Sequence, residues 1–331
     1  LANIVAIFLI FASIFFFFFM IMLISSSGDE KPNIDQNTVL TLDFKTNIID
    51  SETENQENLF DFKNKVKNIM LHSMIEAIKN AKTDPNIKGI SIETDHIGAG
   101  ITQLDNLRAA LLDFKKSGKF VYAYGNNVNQ SAYYLGSVAD QYYHNPAGGV
   151  ELKGMSTEVV FLKDFFDKYG IGMEVIRHGK FKAAVEPYLR NSISPENQEQ
   201  LSTLLNDIWG DTSSKIAQSR KISLENFKTT VDSLYGIIPE QSLQYKLADK
   251  LIQKSEYDAL LKKKIGISAD EDLNKVSFSK YIHSLEPKNA KDEIAILYAS
   301  GGIMNGEGND NIYSENYVKE IKELQKDKKV K

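Results

Sequence analysis

The sequence predicts an α/β protein built on a largely parallel sheet. Short stretches with the apolar pattern of strands, such as residues 38–44 and 87–93, alternate with helical patterns, such as residues 66–82 and 103–116. Strands separated by helices of this length form βαβ units, which bring successive strands together in parallel. The 331 residues, of which 42% are hydrophobic, give room for one large domain or two smaller ones with a core.

Residues 1–25 open the chain with an almost wholly apolar segment that includes the run Phe15 to Phe19; the first charge is Asp29. A helix of roughly 20 apolar residues spans the hydrocarbon core of a bilayer. The apolar run is too long for a typical signal peptide, and Ser25-Ser26-Ser27 is a weak cleavage site. The segment therefore predicts a transmembrane anchor rather than a cleaved signal peptide, followed by a polar linker over residues 26–37.

The elements of the first domain, residues 38–267, follow from the spacing of apolar residues. Patterns typical of strands lie at residues 38–44, 87–93, 119–124, 141–144 and 172–177, and patterns typical of helices lie at residues 66–82, 103–116, 130–139 and 161–168. Ser194 is a favourable N-cap with Pro195 at the first helical position, which predicts a helix to about Arg220. Shorter helices are predicted at residues 224–234, 239–245 and 256–264, and the polar residues 268–291 are predicted to be a connector.

The last 40 residues, 292–331, resemble the start of the domain. A strand pattern at residues 294–299 matches the one at 38–44, and a helix at residues 317–326 ends in a run around Asp327 that matches the run around Asp84 (327 − 84 = 243). Chance similarity between two helix ends is the alternative. The matching strand ahead of each helix favours a repeat, so we expect a second copy of the domain to begin near Asp292.

The amino-acid composition argues against several kinds of functional site. The chain has no cysteine, which excludes disulfides, thiolate metal sites and cysteine nucleophiles. The five histidines are scattered and none forms a His-x3-His pair, so no metal or cofactor is expected. The net charge of −5 argues against a nucleic-acid surface.

Lys182 is the candidate catalytic residue. It follows the predicted strand 172–177 and a turn at Gly179, and its neighbours are apolar: Phe181, Ala183, Ala184 and Val185. Loss of solvent disfavours a charged ammonium, so a lysine held among apolar groups can become a base that takes a proton from a serine hydroxyl. Lys180 competes for this role, and an exposed basic loop is the alternative. Glu186 and Arg190 are predicted to form a structural ion pair or a solvated face.

Two glycine-rich segments are weaker candidates for a part of the catalytic site. Asp95–Gly100 follows a predicted strand and could offer backbone N–H groups to an oxyanion, although a plain strand-to-helix turn is favoured. Its spacing fits neither a phosphate-binding loop nor a dinucleotide fingerprint. Ser300-Gly301-Gly302 matches the loop after Phe44 in the repeat and is interpreted as structural or substrate-adjacent.

Several of these runs together resemble the signal peptide peptidase (protease IV) family in its long, tandem form. They are the apolar N-terminus, Asp84–Ile90, Gln130–Leu135, Asn145–Gly148, Gly154 and the run Gly-x-Phe-Lys-x-Ala-Val-Glu-Pro that ends at Pro187. The resemblance extends over nearly all of the chain. It implies a crotonase/ClpP-like fold with ββα units, present as an N-terminal half and the start of a second copy.

The resemblance also implies site residues. In this family the N-terminal half carries the general-base lysine, which corresponds to Lys182, and the C-terminal half carries the serine. The family's serine segment has the form Gly-Asp-x-Ala-Ala-Ser-Gly-Gly-Tyr-Tyr, and the equivalent run Gly125–Tyr134 has Gln130 at the position of the serine. A glutamine amide cannot become a nucleophile. Ser131 lies one place further, about 100° round a helix, and is expected to pack at the helix start.

The function implied by the resemblance is that of a membrane-anchored Ser/Lys endopeptidase that degrades signal peptides or similar membrane-derived peptides. The nucleophile would follow Lys331, so the chain alone is expected to be inactive. The resemblance further implies a homo-oligomer at the bacterial inner membrane with a periplasmic domain. A non-catalytic, membrane-tethered scaffold or peptide-binding relative is the alternative. An acyl-CoA enzyme of the same fold is disfavoured by the apolar N-terminus and the lack of a basic cluster.

Overall fold

A computed structural model of the chain describes residues 11, 13–19, 32–43, 46–51, 67–176, 178–286, 290–309 and 311–331. The strands are β1 (Thr38–Leu42), β2 (Thr46–Ile49), β3 (Lys67–Met70), β4 (Ile87–Glu93), β5 (Phe120–Asn129), β6 (Gln141–Glu151), β7 (Lys250–Leu251), β8 (Lys275–Ser277), β9 (Ile303–Met304) and β10 (Ile312–Tyr313). Six of them form one sheet in the order β7-β6-β5-β4-β1-β8, and every neighbouring pair is parallel. This confirms the predicted α/β architecture with a parallel sheet.

The helices account for most of the remaining regular structure. They are α1 (Leu71–Thr83), α2 (Ile101–Lys115), α3 (Gln130–Gly136), α4 (Lys163–Lys168), α5 (Glu186–Leu189), α6 (Pro195–Arg220), α7 (Leu224–Asp232), α8 (Pro239–Gln244), α9 (Lys254–Ile265), α10 (Phe278–Ser284) and α11 (Ser314–Lys326). Helix α1 begins later than the predicted residue 66 because β3 occupies residues 67–70 and pairs in parallel with β2.

Both faces of the six-stranded sheet are buried, as a parallel sheet requires. Leu40, Ile90 and Val121 lie side by side in register and face the larger core beneath α1, α2, α3 and α6. The opposite face carries a second apolar cluster beneath α9, made of Val39, Phe120, Tyr124, Tyr143, Ile252, Tyr257 and Leu261. Because successive strand residues point to opposite faces, neighbours in one strand can join different clusters, as Val39 and Leu40 of β1 do.

The predicted connector, residues 268–291, is instead partly built into the domain. Strand β8 pairs with β1 at the edge of the sheet, and the side chains of Phe278 and Tyr281 in α10 are buried. The Tyr281 hydroxyl donates to Asp84 Oδ2 at 3.0 Å. Strand β8 was not predicted from the sequence, because its three residues are too few to show alternation and the residues around it are polar.

The predicted strand at residues 172–177 is not formed over residues 172–176; Arg177 lies outside the described residues. Ile176 is fully exposed, and residues 172–176 pair with no strand in the part of the chain that the structure describes. An alternating pattern favours a strand only where a neighbouring strand can complete its hydrogen bonds, and that neighbour is missing from the described residues.

Most of the predicted anchor and linker, residues 1–37, lies outside the described residues. Among the helices that the structure does describe, none combines the length and the apolar character needed to cross a membrane.

The C-terminal segment repeats several local features of the described residues between 38 and 87. Helices α1 and α11 both have 13 residues and begin 243 residues apart (314 − 71 = 243). Each ends at an aspartate whose Oδ1 accepts the backbone N–H two residues later, at 2.9 Å for both Asp84 and Asp327. The two helix ends are therefore built in the same way.

Strand pairing in the C-terminal segment follows the same order. The parallel pair β9 and β10 matches β2 and β3, and the parallel bridge between Glu293 and Val330 matches the pair Thr38 and Ile87. The predicted strand at residues 294–299 is not formed, and Ile294 is 86% exposed. In the first domain β4 provides the hydrogen bonds along β1, whereas in the described C-terminal residues the pairing is the single bridge between Glu293 and Val330.

Arg108 joins three helices inside the larger core. Its guanidinium lies over the ring of Tyr134 at 4.3 Å and donates to the Tyr134 carbonyl, to Ser137 Oγ at 2.7 Å and to Ser219 Oγ at 3.0 Å. It also donates to the Lys215 carbonyl at 3.2 Å. Because Arg108 is 4% exposed, water cannot replace these bonds if the side chain is removed.

We expect Arg108→Ala to lower the free energy of unfolding by about 3 kcal/mol, since it leaves buried carbonyls without donors and opens a cavity. Urea denaturation followed by circular dichroism measures this change. Lys116→Ala is the control, because the Lys116 side chain is 74% exposed at the end of the same helix. An equal loss of stability in both variants would contradict the role assigned to Arg108.

Candidate active site

Lys182 lies just before a short 3-10 turn, Ala183–Val185, and follows a turn at Gly179. Gly179 has φ +105°, a conformation that residues with a side chain rarely adopt, which explains glycine at this point. Lys182 is exposed, and the neighbouring Phe181 is 55% exposed. The expectation that apolar neighbours bury Lys182 is therefore wrong for this chain, because Phe181 and Ala184 are exposed and Ala183 and Val185 are only half-buried. Lys180 is exposed as well.

Lys182 belongs to a segment that we call the lysine arm, residues 155–193, which leaves the sheet after β6 and returns at α6. Helices α4 and α5 hold the arm together. Leu162 N–H donates to the Pro187 carbonyl at 2.6 Å, and the rings of Phe166 and Tyr188 lie 6.0 Å apart. Many apolar side chains of the arm are exposed, among them Val160, Phe165, Tyr169, Ile171 and Ile176.

Glu186, four residues after Lys182, is buried at 2% exposure. Its Oε2 accepts the backbone N–H of Ser194 and the Nδ2 of Asn197, both at 3.2 Å. Hydrogen bonds from Ser194 outweigh the cost of desolvation and hold the pKa of Glu186 below its usual range, so the carboxylate is charged at neutral pH. The predicted solvated face at Glu186 is wrong. The helix signature at Ser194 and Pro195 was the available clue, because a helix N-terminus attracts a carboxylate.

Gln130 stands at the first position of α3, where Asn129 caps the helix by accepting from Ala132 N–H at 2.8 Å. The Gln130 side chain bridges to the chain after β6. Its Oε1 accepts the N–H groups of Lys153 and Gly154, and its Nε2 donates to the Gly154 carbonyl, all at 3.1 Å. Gln130 is therefore a structural clamp at the base of the lysine arm. Ser131, the next residue, is half-buried.

The loop Asp95–Gly100 joins β4 to α2 and is tied to its surroundings. Asp95 Oδ1 accepts Asn126 N–H at 2.7 Å, and Gly100 N–H donates to Gln103 Oε1 at 2.8 Å. A Cβ on Gly98 would lie 2.3 Å from Asn47 Oδ1, so a larger residue there would require the exposed Asn47 side chain to move. The Gly100 N–H is already used to begin α2, which supports the interpretation of a plain strand-to-helix turn.

A polar cleft of about 430 Å³ lies at the carboxyl ends of β1, β4 and β5. Its lining residues are Asp43, Glu93, Thr94, Asp95, His96, Tyr124, Asn126 and Lys254. Lys254 lies 3.1 Å from Glu93 and 2.6 Å from Asp258, and Lys275 contacts the same two carboxylates. Desolvation opposes ionisation of Asp258, but its bonds to the two lysines hold its pKa below the usual range. These charges neutralise one another and fasten α9 to the sheet.

Ser300-Gly301-Gly302 lies in an exposed bend. Gly302 N–H donates to Asn311 Oδ1 at 2.9 Å, and the Gly302 carbonyl accepts Ile312 N–H at 2.9 Å. The segment is therefore held by the turn that leads into β10. Over the described residues, no group of three or more histidine, aspartate or glutamate side chains is arranged to hold a metal ion.

The arrangement defines an α/β domain with an exposed lysine on an arm and a glutamine at the start of α3. Comparison with known proteins agrees with this description. The profile of peptidase family S49 matches residues 113–268, a range that contains both Gln130 and Lys182. The chain belongs to peptidase family S49.

Curated relatives extend the similarity to most of the chain. Protease 4 of Salmonella typhi is 32% identical over 271 residues, which cover 79% of this chain and 44% of the relative. Protease 4 of Haemophilus influenzae is 29% identical over 256 residues, covering 74% of this chain and 42% of the relative. The chloroplastic serine protease SPPA of Arabidopsis thaliana is 30% identical over 275 residues, covering 80% and 40%. The chain thus spans less than half the length of these three relatives.

We expect Gln130→Ala to lower the free energy of unfolding by about 2 kcal/mol, because it removes the hydrogen bonds to Lys153 and Gly154. Urea denaturation measures the loss. Gln198→Ala, on an exposed position of α6, is the matched control and should stay within about 0.5 kcal/mol of the parent chain. Unchanged stability in Gln130→Ala would show that the clamp contributes nothing.

Proposed function

We propose that this chain is the lysine-bearing part of a membrane-anchored serine peptidase and that Lys182 is its general base. The observation that carries the proposal is the contrast between Gln130 and Lys182, which both lie within residues 113–268, the range matched by the family. Gln130, at the place of the family's serine, is fixed by bonds to Lys153 and Gly154, whereas Lys182 is exposed on an arm. An exposed lysine can meet a serine from another segment, and the burial that favours a neutral amine would then come from that contact.

The proposed reaction is acyl transfer. The serine hydroxyl passes its proton to Lys182 Nζ as its oxygen attacks the peptide carbonyl carbon, and backbone N–H groups stabilise the resulting oxyanion. Collapse of the tetrahedral intermediate breaks the C–N bond, and Lys182 returns the proton to the leaving amine. Water, activated by the same amine, then hydrolyses the acyl-enzyme.

The serine is proposed to come from a second copy of the domain. The repeated geometry of residues 292–331 supports a second copy that starts near Asp292, in tandem with a first domain of the crotonase/ClpP-like fold. The exposed apolar side chains of the lysine arm support a contact with another half or another subunit, as in a homo-oligomer. Signal peptides or similar membrane-derived peptides are the proposed substrates. The bacterial inner membrane is the proposed location, with the apolar N-terminus in the lipid and the domain on the periplasmic side.

A membrane-tethered scaffold that binds peptides without cleaving them is the second candidate. The structural role of Gln130 favours it, because this half provides no nucleophile at that position. The residue 243 positions after Gln130 in the full-length protein distinguishes the two candidates. Serine there supports the peptidase, and any other residue supports the scaffold.

In the full-length protein we expect Lys182→Ala to reduce peptide turnover at least about 1,000-fold, because the serine loses its base. Turnover of a fluorogenic peptide measures the loss, and size-exclusion chromatography checks that assembly is unchanged. Lys180→Ala is the matched control, since Lys180 is also exposed and lies two residues away. Loss of activity in Lys180→Ala alone would transfer the role to Lys180.

The chain of 331 residues is expected to show no peptide cleavage of its own. The physical reason is that Gln130 cannot form an acyl-enzyme. Incubation with the same fluorogenic peptide, with and without a serine-directed inhibitor, tests this expectation. Cleavage that the inhibitor blocks would place the nucleophile within these residues and contradict the proposed division of the site.

A further inference from the structure

The position of Lys182 relative to the core depends on how the lysine arm is fixed at its two ends. At the outgoing end, Gln130 holds Lys153 and Gly154. At the returning end, the described bonds to α6 converge on one buried carboxylate, that of Glu186. The returning end is the closer one to Lys182, which is four residues before Glu186.

The bonds made by Glu186 connect two different pieces of local structure. Ser194 N–H and Asn197 Nδ2 belong to the N-terminus of α6, while Glu186 itself belongs to α5. Both donors are themselves buried, with Ser194 4% and Asn197 8% exposed. Removal of the carboxylate would leave both donors without the acceptor that they share in this structure.

Helix α6 carries this connection into the core. Its last turns bury Ile216 and Ala217 in the larger apolar cluster, and Arg220 lies 2.9 Å from Asp249. Its 26 residues make it a stiff connection between the core and Ser194. On the other side, the path from Glu186 to Lys182 is a single tight turn, because Glu186 N–H donates to the Ala183 carbonyl.

We propose that Glu186 is a positioning residue for Lys182: its buried carboxylate locks the lysine turn against the N-terminus of α6. This inference rests on the proposed function of Lys182. The carboxylate does not touch the reacting atoms. It fixes the direction in which the Lys182 amine leaves the arm, and a displacement of about 1 Å in a catalytic group can cost on the order of 100-fold in rate.

The test is a set of variants at Glu186 in the full-length protein, with parallel measurements on this chain. Glu186→Ala removes both bonds, whereas Glu186→Gln keeps an acceptor oxygen without the charge. Glu199→Ala is the matched control, because Glu199 is an exposed glutamate in the first turns of α6, the helix that Glu186 contacts. Hydrogen exchange reports on the turn, and steady-state kinetics report on catalysis.

For Glu186→Ala we expect the amides of residues 182–186 to exchange about tenfold faster, while the amides of β4 and β5 stay within about twofold. We expect kcat to fall on the order of 100-fold with KM within about twofold, since orientation and not peptide binding is lost. The kcat of Glu186→Gln should be about tenfold higher than that of Glu186→Ala, because the amide keeps an acceptor oxygen. Glu199→Ala should behave like the parent protein.

Parent-like exchange at residues 182–186 in Glu186→Ala would overturn the proposal, and so would faster exchange at the turn with an unchanged kcat. Faster exchange throughout β4 and β5 would also overturn it, because Glu186 would then support general stability. If Glu186→Ala does not fold, the same comparisons are made with Glu186→Gln. Full turnover in Lys182→Ala would refute the proposed function instead, and exchange at residues 182–186 would still decide whether Glu186 holds the turn.

Discussion

A six-stranded parallel sheet must bury both of its faces, and this requirement organises the whole domain. One layer of helices covers one face, and the other face requires α9 with its tyrosine-rich cluster. The ion pairs that join Lys254 and Lys275 to Glu93 and Asp258 hold α9 in place at the carboxyl edge of the sheet. This edge is where parallel-sheet proteins usually place their ligands. In this domain the two lysines and two carboxylates at the edge neutralise one another, whereas the proposed base, Lys182, lies on the lysine arm.

The candidate chemistry lies on an arm outside the core, and this separation has a physical consequence. A lysine at the surface keeps much of its solvent, so under the proposed function we expect the desolvation that a neutral amine needs to come from a contact with another half or another subunit. The exposed apolar side chains of the arm are suited to such a contact. The fixed ends at Gln130 and Glu186 would then present the arm in a defined direction before the contact forms.

The sequence predicted the elements with strong periodicity and clear end signals. Strand β4 and helix α6 have the bounds that the pattern predicted, because β4 repeats isoleucine directly after the helix-ending Asp84–Asn86 and α6 starts with Ser194 and Pro195. The errors were mainly strands: residues 172–176 and 294–299 have the pattern but no strand, and β8 has the strand but little pattern. Helix α10 was missed as well, inside the predicted connector. A helix closes its own hydrogen bonds, whereas a strand exists only if another strand lies beside it.

The side chains available for chemistry could be identified from the sequence. Lys182 stands out within its run, and position 130 holds a glutamine, which cannot act as a nucleophile. The surroundings of these side chains could not be predicted, since Lys182 is exposed despite its apolar neighbours and Glu186 is buried despite its charge. The reason is that burial depends on what packs against a residue from distant parts of the chain. For Glu186 the partners are Ser194 and Asn197, and their bonds offset the cost of removing a carboxylate from water.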